Sequence, residues 1–373
     1  MLYTSLFRAF CLTLPLIISF SMSLYAVETQ VFRESVRARG MGSAFTAAAN
    51  DEMVLYYNPA NLRSVRHNSF ELLGGSLAVN DRTLRIAEDL KGNDSSSTEY
   101  QLSRLTGEKL FLEGNLSGLS LVTQRFGFGF SGKTLLDVQL RNPVVPYLDV
   151  KAYVQMGGIG GIAWSFWDYE LDIGIALKGI HRQGIDRKFR LFDPVLIEAA
   201  NENDTTKLEK EFSKETRFAP DLGITYHLDE IHNLATKLSL TVQQIGGMDF
   251  ENAGYLPMQI NLGASTSSEL KGIDVVMAVD YHDLLNAQDL NPDGQFYSFR
   301  HLKLGAEAGF LQLFNGHPLF AFRFGWEGSY MAYGASLNLY GLKLDYAQWG
   351  EEIGDYAGDK EDRRTMLQAS LIF

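Results

Sequence analysis

The side chains in this sequence best able to hold a charged ligand sit at alternate positions of apolar segments. Lys178, Asp221, Asp280, Lys303, Glu307, Arg323, Lys343 and Asp345 all occur this way. A cation in such a setting can hold a carboxylate once water is thinned out around it, and Lys303, Arg323 and Lys343 are the best candidates. Opposite charges on neighbouring segments, such as Arg323 and Glu307, can equally well satisfy each other. The sequence carries no signature of other chemistry. His181, His227, His282 and His301 lack metal-ligand spacing, and there is no Gly-Lys-Ser/Thr phosphate loop and no nucleophile elbow. No enzymatic activity and no cofactor are expected.

The segments that carry these charges are strands. Ile273, Val275, Met277, Val279 and Tyr281 alternate with Asp274, Val276, Ala278, Asp280 and His282. Phe320, Phe322, Phe324 and Trp326 alternate with Ala321, Arg323 and Gly325. A period of two places successive side chains on opposite faces of a strand. Fourteen such segments are predicted, over 70–79, 116–124, 126–137, 150–166, 170–181, 218–228, 235–245, 257–267, 272–282, 299–310, 317–326, 330–339, 341–349 and 364–373. Their connections run long then short along the chain, except for a short one at Glu327 where a long one is due. Charged faces, apolar faces and that rhythm together predict an all-β fold. It is a transmembrane antiparallel up-and-down β-barrel of about fourteen strands, with long outer loops and short periplasmic turns.

Composition agrees. The chain has 373 residues, 35 Gly, 24 Phe and 17 Tyr, with a mean hydropathy of -0.09. A helical membrane protein would need repeated apolar runs of about twenty residues. A single run approaches that, and it lies at the N-terminus. Arg8, then Cys11 to Ser23 interrupted by Pro15, then a small residue at Ser23 or Ala26, read as a signal peptide over residues 1–26. Its removal takes away Cys11, the one cysteine, so no disulfide framework is expected. The formal net charge of -12 argues against nucleic acid as a partner, since phosphate contacts need clustered Lys and Arg. The expected location is the cell outer membrane, with its lipid as a partner. The final segment places Thr365, Leu367, Ala369, Leu371 and Phe373 on one face. This ending resembles the signal read by the barrel assembly machinery.

Residues 27–69 do not alternate. They hold Arg39-Gly40-Met41-Gly42, Ala47-Ala48-Ala49, Asn50-Asp51 and then Tyr57-Asn58-Pro59-Ala60. Small residues favour close packing, and Pro59 disfavours helix at Asn58. In this order the motifs resemble the N-terminal signature of the FadL-like and PorV/PorQ-like outer-membrane barrels. Pro220-Asp221-Leu222-Gly223 and Leu344-Asp345-Tyr346-Ala347 extend the resemblance over nearly all of the chain after residue 26. The resemblance implies a fourteen-stranded barrel, residues 70–373, with residues 27–69 folded into the lumen as a hatch.

In a FadL-like protein, a hydrophobic ligand such as a long-chain fatty acid binds beside the hatch and leaves sideways through the wall. Asn58, Pro59 and Ala60 would then be a gating element. Phe45, Met53, Val54 and Leu55 would line an apolar pocket or simply pack the hatch. In a PorV-like protein the barrel serves secretion or surface assembly, with a secreted protein as its partner.

Overall fold

A computed structural model of the chain describes residues 32–85, 109–141, 147–190, 211–230, 234–285, 301–312, 318–353 and 360–373. The expected signal peptide lies outside them. Fourteen strands close into one antiparallel barrel. In chain order they begin with β1 (Ser69–Asn80), β2 (Lys109–Val122), β3 (Phe126–Arg141), β4 (Tyr147–Phe166), β5 (Leu171–Arg190), β6 (Ser213–His227) and β7 (Ala235–Gln243). A short hairpin, β8 (Met248–Asp249) with β9 (Tyr255–Leu256), forms a separate two-stranded sheet that is not part of the wall. The wall resumes with β10 (Gln259–Leu270), β11 (Ile273–Tyr281), β12 (Leu302–Gln312), β13 (Pro318–Glu327), β14 (Tyr330–Leu339), β15 (Leu342–Glu352) and β16 (Glu361–Ile372).

Closure is made by β1 against β16, with Leu77 opposite Leu367. Phe70 and Phe373 exchange two 2.9 Å backbone hydrogen bonds. With β1 and β16 joined, no strand edge is left to expose unpaired amides to lipid.

All fourteen expected strands are present, and their alternation sets the two surfaces. Ile175 and Leu177 face outward while Ala176 and Lys178 are buried inside; Phe322 and Phe324 face outward while Arg323 is buried. An apolar exterior around a charged interior is the arrangement of an outer-membrane barrel. β1 carries a bulge at Leu72, so Leu72 and Leu73 are both exposed on the outside.

Three strand ends differ from expectation by five residues or more. β2 begins at Lys109 rather than 116, β5 runs to Arg190 rather than 181, and β6 begins at Ser213 rather than 218. In these extensions, such as Arg182 to Arg190, charged side chains interrupt the apolar alternation while the backbone ladder continues to pair β4 with β5. Above the membrane water can cover both faces, so the ladder no longer needs an apolar outer face. The short connection after Glu327 is a tight turn in which Gly328 takes φ +62°.

Residues 32–68 occupy the lumen. They form the helix Val36–Gly40, capped by Ser35, then the helix Val54–Tyr57 and the 3-10 turn Pro59–Ser64. Asn58 is extended, as its place before Pro59 requires, and its side chain caps the turn by accepting from the Ala60 amide. The segment touches all fourteen strands, from Arg33 on Glu71 of β1 to the contact of helix Val36–Gly40 with β16. Only a position inside the barrel allows that.

Candidate functional site

The luminal segment meets the wall in three different ways. The first is close backbone approach at glycines. Gly174 of β5 and Gly223 of β6 are register partners. A Cβ at Gly174 would overlap the Pro59 carbonyl carbon and the Ala60 nitrogen, and one at Gly223 would overlap Asn58 Oδ1. Gly305 and Gly325 are likewise partners, on β12 and β13. A Cβ there would run into Met41 and Gly42. Two paired notches in the wall therefore receive the two small-residue motifs of the segment.

Hydrogen bonds fix the first seat and the stretch of chain between the two. Asn58 Nδ2 donates to the Thr46 carbonyl and to Thr225 Oγ1, each at 3.1 Å. Thr225 in turn donates to Asn61 Oδ1 at 2.8 Å. Asp280 of β11 accepts from the amides of Phe45 (2.7 Å) and Thr46 (2.6 Å). Apart from Asp280 Oδ1, these buried polar groups are thus paired among themselves, as burial demands.

The second contact is ionic and lies toward β12, β13 and β15. Arg37 donates to both Glu307 oxygens (2.8 and 2.7 Å) and to Asp51 Oδ2 (2.9 Å). Glu307 also accepts from Arg323 Nε at 2.6 Å, and Arg323 reaches Asp345 at 3.1 Å. Lys343 stands 3.5 Å from Asp345 and donates to Glu52 at 2.8 Å. The chain of charges therefore leaves the segment at Asp51 and returns to it at Glu52.

Burial opposes the Arg37 charge, but Glu307 and Asp51 outweigh it and hold the guanidinium pKa above its ordinary value. Nearby, Arg39 pairs with Glu34 (2.7 Å) and Glu351 (3.1 Å), and Lys303 pairs with Glu327. A polar cavity of about 110 Å³ borders this side, lined by Arg37, Asp51, Asp274 and Glu307 among others.

The third contact is apolar and lies toward β2, β4 and β5. Phe32, Leu55 and Leu62 form one buried cluster with Val122, Ile159, Ala176 and Ile180. The wall is thin here because β4 carries Gly157, Gly158, Gly160 and Gly161. From inside, Phe32 and Leu55 press on Gly157 and Gly161. From outside, the Phe130 ring covers Gly158, whereas a Cβ at Gly160 would meet nothing closer than 3.9 Å.

The expected site residues divide among these contacts. Asn58, Pro59 and Ala60 form the Gly174–Gly223 seat. Phe45, Met53 and Leu55 are fully buried in the apolar cluster, with Phe45 set edge-on to Tyr57 at 5.0 Å. Of Lys303, Arg323 and Lys343, the last two line that polar cavity. All three are ion-paired, which is the alternative left open by their opposite-charge neighbours.

Sequence reading did not single out Arg37, Thr225 or the seating role of the glycines, and it marked Asp280 only as one of the inward charges. The Arg-x-Arg spacing of Arg37 and Arg39 in a small-residue segment was a visible signal. Their carboxylate partners lie hundreds of residues away and carry no local mark. Among the described residues no group of His, Cys, Asp and Glu stands in metal-binding geometry.

No protein-family signature matches the chain, and no curated protein matches it. Solved structures do. The CymD monoaromatic hydrocarbon channel superposes with a TM-score of 0.50 at 11% identity, covering 92% of this chain and 98% of that one. The deltaS2S3 mutant of the TodX monoaromatic hydrocarbon channel gives 0.50 at 10% identity, with 91% and 98% covered. The Pseudomonas putida toluene transporter TodX gives 0.48 at 11% identity, with 92% and 98% covered. At such low identity the likeness to the first two is one of fold: this chain has the barrel fold of those channels, as its resemblance to FadL-like proteins implied.

Proposed function

We propose that this protein is an outer-membrane channel for hydrophobic or amphipathic small molecules, of the long-chain fatty-acid type, with the luminal segment as its hatch. The observation that carries this reading is the two-sided packing of that segment. Charges hold it on the β12–β15 side, while toward β4 and β5 Phe32 and Leu55 lie against a glycine-thinned wall. An aqueous pore has no use for an apolar seam, whereas a compound without charges can pass along one by displacing Leu55 and Phe32 rather than breaking ion pairs. Phe45, Met53 and Leu55 would line that seam, and the Asn58-Pro59-Ala60 turn would be the point about which the hatch gives way. The names of the fold relatives, as hydrocarbon channels, support the same class of ligand.

A fatty-acid head group would have to displace a resident carboxylate, for instance Glu52 from Lys343. An uncharged hydrocarbon faces no such competition. Residues 1–26 would be removed on export, and the exposed ring of Phe373 would be read during assembly. The reading is tested by uptake of labelled apolar compounds in cells lacking the protein, beside ligand binding by the purified barrel. Unchanged uptake together with no binding would overturn it.

A further inference from the structure

At the periplasmic end, the turn joining β2 to β3 and the turn joining β4 to β5 enclose a groove of about 570 Å³. Its sides are the outward faces of Phe126, Trp164 and Phe166. Its rim is Trp167-Asp168-Tyr169, three successive non-glycine residues at φ +52°, +51° and +74°. Left-handed backbone costs an L-residue about 1 kcal/mol each, so three in a row amount to a fold feature held against strain. That turn leaves the Trp167 and Tyr169 rings 69% and 71% exposed at the level where aromatic side chains meet lipid head groups.

Three charges line the same groove. Arg125 is exposed, and among the described residues its guanidinium has neither an ion pair nor a hydrogen bond. Arg63 spends Nε on Ser165 Oγ (2.6 Å) and NH1 on the Gln124 carbonyl (3.1 Å), which leaves NH2 free, and it lies 5.7 Å from the Tyr169 ring. Asp168 makes no ion pair among the described residues.

We propose that this groove is a specific site for one phospholipid of the periplasmic leaflet bearing a primary-amine head group. Arg125 and Arg63 take the phosphate, Asp168 accepts from the ammonium, and the acyl chains lie along Phe126, Trp164 and Phe166. Two cations and one anion over an apolar bed match a zwitterionic lipid better than an anionic one. Because Arg63 belongs to the luminal segment, the same lipid ties that segment to the membrane.

The test is native mass spectrometry of the detergent-purified full barrel in an equimolar mixture of phosphatidylethanolamine, phosphatidylcholine and phosphatidylglycerol with identical acyl chains. The expected result is one retained phosphatidylethanolamine, favoured about tenfold, the usual worth of one charge-assisted hydrogen bond. Arg125→Ala is expected to lower retention about tenfold. Asp168→Asn, whose side chain suits left-handed backbone, is expected to abolish the preference for the primary amine. Heat-shifted gel mobility checks that each variant still forms the barrel. Equal retention of the three lipids by the natural protein overturns the proposal, as does wild-type behaviour in either folded variant. So does displacement of the lipid by soluble phosphoethanolamine at equal concentration.

Discussion

Arg37 grips Glu307 through two parallel hydrogen bonds of 2.8 and 2.7 Å, joining the first helix of the luminal segment to strand β12 across 270 residues of chain. Glu307 accepts from Arg323 as well, so one wall carboxylate neutralises a cation of the segment and a cation of the next strand. Removing it would leave two buried guanidinium groups competing for Asp51 and Asp345.

Glu307→Gln is therefore expected to destabilise the protein by about 3 kcal/mol or more, the scale for breaking a buried pair by removing one partner. Asp51→Asn removes a carboxylate ion-paired with Arg37 whose other oxygen accepts from the Met53 amide at 3.0 Å, a bond an asparagine can keep, and is expected to cost less. Thermal unfolding in detergent, followed by gel mobility, ranks the two; equal midpoints would count against the shared role of Glu307.

The paired glycines lead to a different outcome. Gly174→Val and Gly223→Val both push side-chain atoms into Asn58-Pro59-Ala60, while leaving the β5–β6 backbone ladder intact. The barrel is expected to assemble with its luminal segment unseated. Planar-bilayer conductance should rise and residues 32–68 should become cleavable by added protease. A barrel that stays closed and protease-resistant would show that the segment is held without this seat.

Asn58→Ala deletes two donated side-chain hydrogen bonds and the cap on Ala60. It strands the Thr46 carbonyl only in part, because Asn61 also donates to it at 3.0 Å. A loss of about 2 kcal/mol is expected, from the usual cost of a buried polar partner left unmet. Hydrogen exchange of the Pro59–Ser64 amides is the direct readout, and protection unchanged from the natural protein would refute it.

On the apolar side, Gly160 faces outward from β4, and a Cβ there meets no atom closer than 3.9 Å, so a side chain at this position can cover the outer face of the thinned wall, where the proposed route would leave, without a clash. Gly160→Leu is expected to leave folding and gel mobility unchanged while lowering uptake of apolar compounds several-fold. Uptake equal to that of the natural chain would place the route elsewhere.

The sequence by itself determined the barrel. Alternation with period two, charged on one face and apolar on the other, allows one solution in a membrane, because every backbone amide must be paired and no edge can stay open. Strand number, the outward and inward faces and the closing strand at Phe373 were all legible for that reason. The strand ends at Lys109, Arg190 and Ser213 were not, because outside the lipid no apolar face is required to continue the ladder.

Only the tertiary structure decided how the luminal segment sits. Nothing near Arg37 in the chain names Glu307, and nothing near Asn58 names Gly174, Gly223 or Thr225. Those partners are chosen by barrel register, which brings distant strands to the same height around the lumen. Lys303, Arg323 and Lys343 were recognisable as inward-facing cations. That each is already answered by a carboxylate depends on neighbours that the closed wall supplies.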